Sequence, residues 1–385
     1  MSGLILAGMK CKQVPVLIVG GGPAGITMAL TLAARGIHNI IVDNEKTARP
    51  KPGEAIPPNA LPLFKQLGFD QLLNNPGHTR YYGNKTVWGN NRPEEKMFLF
   101  EPNSVGYLLN RQLFETQLRE LSLNSNSSSW LVGNLQSVKI VNEKALVTIH
   151  SGSETVEISA DYVVDATGKK ASVCRQLGIY RQETDQLAAL TFHCKISAKI
   201  QSCVYIESFE NGWIYLAPCG NNKISVMIFT DIDMIPLQAD RKNFITEVLK
   251  GTGFLKSLIV DLPEADQIQN LSIRPANTVC LQLPYGANWI AIGDAAYSFD
   301  PISSYGITSA IAAGYYGGNA LADALEHKPE ALEVYRYIME NAFQAYLQRL
   351  QHYYNLEKRW PQNVFWKRRH KKIFEPEQNI QIDKA

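Results

Sequence analysis

The sequence predicts an α/β (α+β) fold in which a parallel βαβ unit is interleaved with an antiparallel-sheet region and followed by a helical segment at the C-terminus. Three observations predict it. Residues 14–45 read as strand, glycine turn, helix and strand; residues 186–230 alternate apolar and polar positions in four short segments; and a small-residue helix near Gly306 is followed by an amphipathic one over Leu332–Trp360. At 385 residues and 45% hydrophobic, the chain has enough apolar mass for one large core or two intergrown ones. A net charge of +2 is too near zero to imply a nucleic-acid or acidic-membrane partner. Six cysteines lie scattered without a C-x-x-C pair or other metal-ligand spacing, which fits free thiols in a reducing compartment and hence a cytoplasmic location, with no metal. No basic start precedes the short apolar segment at the N-terminus, so no signal peptide is expected. The uncharged stretches Val14–Ala34 and Pro301–Ala322 are each about long enough to span a bilayer. The first is broken by Gly-Gly-Gly-Pro and the second is rich in Gly, Ser and Tyr, so both are expected to be buried core elements.

In chain order, Val14–Val19 is an apolar run of strand length, and Gly20, Gly22 and Gly25 follow with G-x-G-x-x-G spacing around Pro23 and Ala24. The first glycine permits the tight turn, the second lets the backbone approach a pyrophosphate, and the third lets helix and strand pack closely. The helix Ala24–Arg35 points its amides and positive dipole end at that phosphate. The strand Asn39–Val42 ends in Asp43-Asn44, where an acid accepts hydrogen bonds from an adenosine ribose. This is a Rossmann-like dinucleotide unit, and it occurs once.

A proline-rich loop, Arg49–Phe69, carries Gly53-Glu54 ahead of a short helix and suits a wall over a ligand. Residues 78–100 look like antiparallel strands, and Val105–Glu120 reads as a helix whose early Arg111 is either exposed or aimed at a cofactor. Beyond the polar loop Asn124–Ser129, strands are expected over Trp130–Val132, Gln136–Val141, Lys144–Ile149 and Ile158–Val164. The last runs into Asp165-Ala166-Thr167-Gly168, a small-residue turn that a cofactor backbone can approach. The four β segments of 186–230 make a floor or lid, with His193 on the first of them as a candidate proton-handling group, and Phe244–Leu258 is helical. Strand Trp289–Ile292 then ends in Gly293-Asp294, and Asp300-Pro301 with Gly306-Ile307 opens the small-residue helix. An acid at a strand end suits sugar-like hydroxyls, and a helix N-terminus suits a group that becomes anionic. The helix Leu332–Trp360 presents Tyr335, Met339, Phe343, Tyr346, Leu350 and Tyr353 at helical spacing. It ends near the basic run 367–372, read as a solvated tail or a docking patch.

Together GGGPAG at Gly20–Gly25, the Asp43 strand end, the Ala166–Gly168 turn and GDAAYSFDPISSYGI at Gly293–Ile307 resemble the FAD-dependent aromatic hydroxylase and flavin-dependent halogenase superfamily, over roughly residues 14–326. The resemblance implies FAD. Its pyrophosphate would lie on Gly20, Gly22, Pro23, Ala24 and Gly25, its ribose on Asp43 and Asn44, and its flanks on Arg111, Ala166, Thr167 and Gly168. Its ribityl chain would lie on Gly293 and Asp294, and its ring beside Pro301, Gly306 and Ile307. Glu54, inside PGEAIP, resembles the loop that closes over the flavin in the halogenase and reductase branch. The implied division is an FAD-binding domain at 1–50, 101–180 and 276–326, a substrate domain at 51–100 and 181–275, and a C-terminal helical extension with a basic tail at 327–385.

The implied chemistry is carried by the cofactor: NAD(P)H, bound transiently, or a separate reductase reduces FAD, O₂ adds at flavin C4a, and the hydroperoxide passes oxygen to an aromatic ring. Halogenases of the superfamily carry W-x-W-x-I-P where this chain has Trp213-Ile214-Tyr215-Leu216-Ala217-Pro218. They also use a lysine, for which Lys85 is a loose positional match. The DPISSYGI variant and the aromatic C-terminal helix are similar to a narrower group, flavoproteins that oxygenate a tryptophan of a quinoprotein amino-acid oxidase precursor on the way to cysteine tryptophylquinone. The leading expectation is therefore a monooxygenase acting on a protein-borne tryptophan. A hydroxylase or halogenase of a small aromatic molecule and a non-catalytic flavin-binding maturation chaperone are the alternatives.

Overall fold

The computed structural model of the chain describes residues 12–44, 54–195, 200–219, 223–259 and 268–371. Gly53 and Lys372 lie outside the described residues. The larger sheet runs in the order Tyr285–Gly286, Trp289–Ala291, Glu154–Asp165, Lys12–Val19, Asn39–Asp43 and Ser128–Val132, with the strands Asn134–Val141 and Lys144–Ser151 branching from Glu154–Asp165. From Trp289–Ala291 to Ser128–Val132 all four pairings are parallel, so the carboxyl ends of five strands share one edge. These strands read as near-continuous apolar runs because both faces are covered. On one face Val16, Ile18, Ile41 and Val164 pack with Met28, Leu321 and Tyr335; on the other Leu17, Val19, Ile40, Val42 and Val163 form a second cluster.

Helix Pro23–Ala34 lies against helix Gly306–Leu325, and small residues at the crossing allow the contact. A Cβ on Gly314 would sit 2.4 Å from the Ala24 carbonyl oxygen, and one on Gly318 would sit 2.9 Å from Thr31 Cβ. This is why a long uncharged stretch is buried here. No helix among the described residues is long and apolar enough to cross a membrane.

The second sheet runs Gln269–Pro275, Leu187–Lys195, Lys223–Asp231, Gly212–Pro218, Val204–Phe209, Gly83–Val87 and Glu94–Met97. Its four central strands are those expected from 186–230. The pairing of Val204–Phe209 with Gly83–Val87 is parallel, so the sheet is mixed where antiparallel strands were expected. Strand alternation gives it two faces. Leu190, Phe192, Ile214, Leu216, Ile224, Val226 and Ile228 meet Ile245, Leu249 and Leu255 of the covering helices; Leu187, Ala189, Trp213, Tyr215, Met227 and Phe229 face the main core.

Four further expectations need correction. The helix expected from Val105 starts at Arg111: Gly106–Leu109 is a buried strand between Glu54–Ile56 and Thr79–Tyr81, and Asn110 caps the helix by accepting from the Leu113 amide at 3.1 Å. Phe244–Leu258 is two helices, Arg241–Gly251 and Phe254–Leu258, because Gly251-Thr252-Gly253 interrupts it. The buried Glu207 carboxylate accepts from the Gly253, Phe254 and Leu255 amides at the second start. On helix Glu330–Leu356 the inward residue is Tyr354, while Tyr353 is half exposed. The basic run is not simply solvated: Arg369 is buried against Asp231, and Arg368 bonds both Asp231 and Asp233.

Candidate functional site

The shared strand edge brings Val19, Asp43, Asp165 and Ala291 into one neighbourhood, and the turns that leave it build the site. Gly20 has φ +113°, and a Cβ there would lie 2.2 Å from the Ala166 carbonyl oxygen. A Cβ on Gly25 would lie 2.0 Å from the Gly20 oxygen, whereas one on Gly22 meets nothing within 4 Å. The outer glycines are therefore demanded by packing, while the middle one faces open space. Pro23 sits in the first turn of Pro23–Ala34, whose N-cap Gly22 offers no side-chain acceptor. Asp43 Oδ2 accepts from the Gly21 amide at 2.7 Å, so the strand-end acid also shapes the glycine turn, and Asn44 follows it.

Asp165, fully buried, organises the next turn. Its Oδ1 accepts from the Thr167 amide at 3.0 Å and hydroxyl at 2.6 Å, and its Oδ2 from the Cys174 amide at 2.9 Å. Ala166 is thereby held against Gly20, with Thr167 and Gly168 beside it.

Gly293 lies against the same glycine turn: at φ +58°, a Cβ on it would be 2.9 Å from Ala24 Cβ. The first and third motifs, far apart in sequence, therefore meet. Burial raises the Asp294 carboxyl, while Lys169, Arg111 and Arg181 draw it down, so three cations converge on this acid. The Arg181 guanidinium donates to the carbonyls of Asp294 at 3.2 Å and Lys169 at 2.6 Å; Lys169 donates to the Asn277 carbonyl at 2.6 Å. Arg111 is only 10% exposed and pairs with Glu115, which removes the exposed-arginine reading. Asp300 caps the turn Pro301–Ser303 through the Ile302 amide, and Gly306 and Ile307 then open helix Gly306–Leu325 without a side-chain cap. In that first helical turn Thr308 Oγ1 is buried with no protein partner.

The site thus combines an open glycine cradle, three cations acting on Asp294, uncapped helix amides and an orphaned hydroxyl. These fit an anionic dinucleotide with a redox-active ring. Sequence reasoning missed Lys169, Arg181 and Thr308. Lys169 directly follows the 166–168 turn, a usable signal, whereas nothing local marks Arg181.

The two catalytic candidates lie on strands and not on the turns that build the cradle. Glu54 begins strand Glu54–Ile56, its backbone opposite Leu109 and so near Arg111. His193 stands opposite Ser225 at the far end of its strand, roughly 20 Å from Leu187 at about 3.3 Å per residue. Burial and then the Lys223 charge lower its pKa, and its Nδ1 and Ser225 Oγ are buried without partners. Lys85 pairs in register with Tyr205, which packs on the helix-covered face, and bonds Glu95 at 2.5 Å. Lys85 is therefore not at the inner face. Among the described residues no His, Cys, Asp and Glu group fit to hold a metal is found.

The FAD binding domain family matches residues 13–349. The FAD-dependent oxidoreductase LodB of Marinomonas mediterranea is 26% identical over 369 residues, spanning 92% of this chain and 96% of its own. The solved structure of CmlS, a flavin-dependent halogenase, aligns with TM-score 0.80 at 22% identity over 95% of this chain and 68% of that one. QhpG, a peptidyl tryptophan dihydroxylase essential for tryptophylquinone cofactor biogenesis, aligns with TM-score 0.76 at 19% identity over 93% of this chain and 78% of that one. Both structures share the fold.

Proposed function

The chain belongs to the FAD binding domain family, an enzyme family of FAD-dependent oxidoreductases, and on that premise we propose that it is a monooxygenase hydroxylating a tryptophan carried by a partner protein, the precursor of a quinoprotein amino-acid oxidase. The observation that carries the flavin assignment is the contact between the Gly20–Gly25 turn and Gly293, which leaves one continuous cradle. The likeness to LodB along nearly its whole length supports an FAD-dependent oxidoreductase, and the fold shared with a peptidyl tryptophan dihydroxylase suits a protein-borne substrate. FAD, when bound, supplies the redox and oxygen-activating chemistry.

The chain's own residues do the rest. Gly22 would leave room for the pyrophosphate, Asp43 and Asn44 would hold the ribose, Arg111 with Lys169 and Arg181 would offset the charge of Asp294, and Asp294 would hold the ribityl chain. Pro301, Gly306 and Ile307 would hold the ring, and the uncapped amides of the helix start favour negative charge. Residues 51–100 and 181–275 make the substrate side, whose apolar inner face excludes water from the reacting centre. With a single dinucleotide fingerprint, electrons come from transiently bound NAD(P)H or from a separate reductase. A halogenase reading keeps the fold, but Lys85, the loose match for its lysine, is not on the inner face.

Coexpression with a candidate oxidase precursor, followed by mass spectrometry of its tryptophans, tests the reading. Oxygen added to one tryptophan is the expected result; an unmodified precursor, with a free aromatic compound hydroxylated or chlorinated instead, overturns it. His193, neutral near pH 7, has its unpartnered Nδ1 on the inner face and hydrogen-bonds substrate there. His193→Phe is expected to raise the apparent KM about fivefold, the value of one hydrogen bond of about 1 kcal/mol, with FAD content unchanged. An unaltered KM removes His193 from the site.

A further inference from the structure

A buried chain of hydrogen bonds joins three distant segments. Trp213 Nε1, on the inner face of the second sheet, donates to the Tyr354 hydroxyl at 3.2 Å. Tyr354, on the C-terminal helix, donates to Asp300 Oδ2 at 2.7 Å. The other oxygen of Asp300 accepts from the Ile302 amide at 2.9 Å, and the Asp300 amide donates to Tyr346, which shares a 2.8 Å bond with Thr278. None of Trp213, Tyr354 and Asp300 is more than 1% exposed, so water does not compete for these bonds.

A tyrosine hydroxyl has one hydrogen. With Trp213 donating to its oxygen, Tyr354 must spend that hydrogen on Asp300, and the arrangement closes only when Asp300 Oδ2 is an acceptor. Asp300 is also the cap of the turn that leads into helix Gly306–Leu325. We propose that Tyr354 is a positioning residue, fixing the Asp300–Ser304 turn and the following helix N-terminus relative to the sheet that carries Trp213. That the turn borders the flavin rests on the function proposed above; the hydrogen-bond chain itself does not.

The groups facing Asp300 come from every side. Asp185 repels it, Arg369 attracts it from the C-terminal helices, Lys169 lies within electrostatic reach, and Tyr346 and Tyr354 bond it. Burial first, and then Asp185, pushes its carboxyl up to about 6, against the Ile302 amide and the Tyr354 hydroxyl. A carboxyl raised in the folded state holds its proton more tightly than in the unfolded chain. Its favourable contribution is complete below the ordinary carboxylate range and is lost as pH rises through about 6. Removing the Tyr354 donor takes support from the ionised form, so the transition moves to higher pH.

Tyr354→Phe deletes the hydroxyl and keeps the ring against Trp88, Phe365 and Trp366. Tyr353→Phe, on the exposed neighbour, is the control. Two readouts are followed between about pH 5 and 8: tryptophan emission of flavin-free protein, and the visible spectrum of the FAD-loaded protein. The wild type and Tyr353→Phe are expected to show a step near pH 6 in both, and Tyr354→Phe a step about one unit higher. Asp300→Asn, which keeps the cap but cannot ionise, is expected to show none, and it decides the matter if Tyr354→Phe does not fold. Superimposable emission titrations of wild type and Tyr354→Phe, or a surviving step in Asp300→Asn, overturn the proposal. A shifted emission step with an unmoved flavin spectrum overturns the coupling to the cofactor. A protein that takes up no FAD overturns the proposed function instead, while the emission titration still decides the role of Tyr354.

Discussion

Gly25→Ala is expected to cost the protein both stability and cofactor. The added methyl group would stand 2.0 Å from the Gly20 carbonyl oxygen and 3.1 Å from Ala166 Cβ, and the nearer of these is backbone that no rotamer change can clear. Forcing one methyl into a packed site costs about 1–3 kcal/mol, and a clash with backbone belongs at or above the top of that range. Against a total of about 5–15 kcal/mol this is a large loss, and it falls on the turn that cradles the pyrophosphate. Gly22→Ala separates the two effects. Its methyl meets nothing within 4 Å, so the fold survives with a loss of about 1 kcal/mol or less at the helix start, while the group projects into the space assigned to the ligand. Thermal unfolding of flavin-free protein is expected to show a marked drop for Gly25→Ala and little change for Gly22→Ala, with FAD titrations weakened in both. Equal melting temperatures for the two variants, or undiminished FAD binding by Gly22→Ala, would contradict the division of labour among these glycines.

What was legible in the sequence was what is locally dictated. The glycine spacing, the apolar strands and the alternation of 186–230 each follow from contacts within a few residues, and the structure contains all of them. The errors fall where tertiary context decided. Val105–Leu109 is apolar at nearly every position and reads equally as helix or buried strand, and it became a strand because Glu54–Ile56 and Thr79–Tyr81 flank it. On the C-terminal helix, both Tyr353 and Tyr354 lie at permitted spacings from Leu350, so periodicity alone did not choose between them. Arg181 reaches the Asp294 carbonyl across 113 positions, a contact that no local pattern encodes. Within the basic run Arg369 was misread for the same reason: it looks solvated until Asp231 of the second sheet is found beneath it.

That acid supplies the second large effect. Arg369 and Asp231 are 5% and 1% exposed, with Arg369 Nη2 2.6 Å from Oδ1 and Nη1 3.2 Å from Oδ2, and the guanidinium lies 3.6 Å from the Phe365 ring centre and 5.3 Å from that of Tyr354. A buried pair is not strongly stabilising in itself, because each charge surrendered its hydration, but removal of one partner strands the other. Arg369→Met leaves Asp231 only the half-exposed Arg368 and is therefore expected to lower stability by about 3 kcal/mol, read as a lower urea midpoint. The single change Arg368→Met removes a side chain that is 42% exposed: its bridge to the similarly exposed Asp233 is worth about 1 kcal/mol or less, and the loss of its bond to Asp231 leaves that acid still held by Arg369. A double variant, Asp231→Leu with Arg369→Met, replaces the pair by apolar groups and is expected to recover most of the loss. Were Arg369→Met as mild as Arg368→Met, the anchoring role of the pair would be refuted. Because Arg369 packs on the ring of Tyr354, the same variant also loosens the residue that bonds Asp300. A lower urea midpoint should therefore be accompanied by a displaced pH step in tryptophan emission, a coupling that an independent surface ion pair has no physical means to produce.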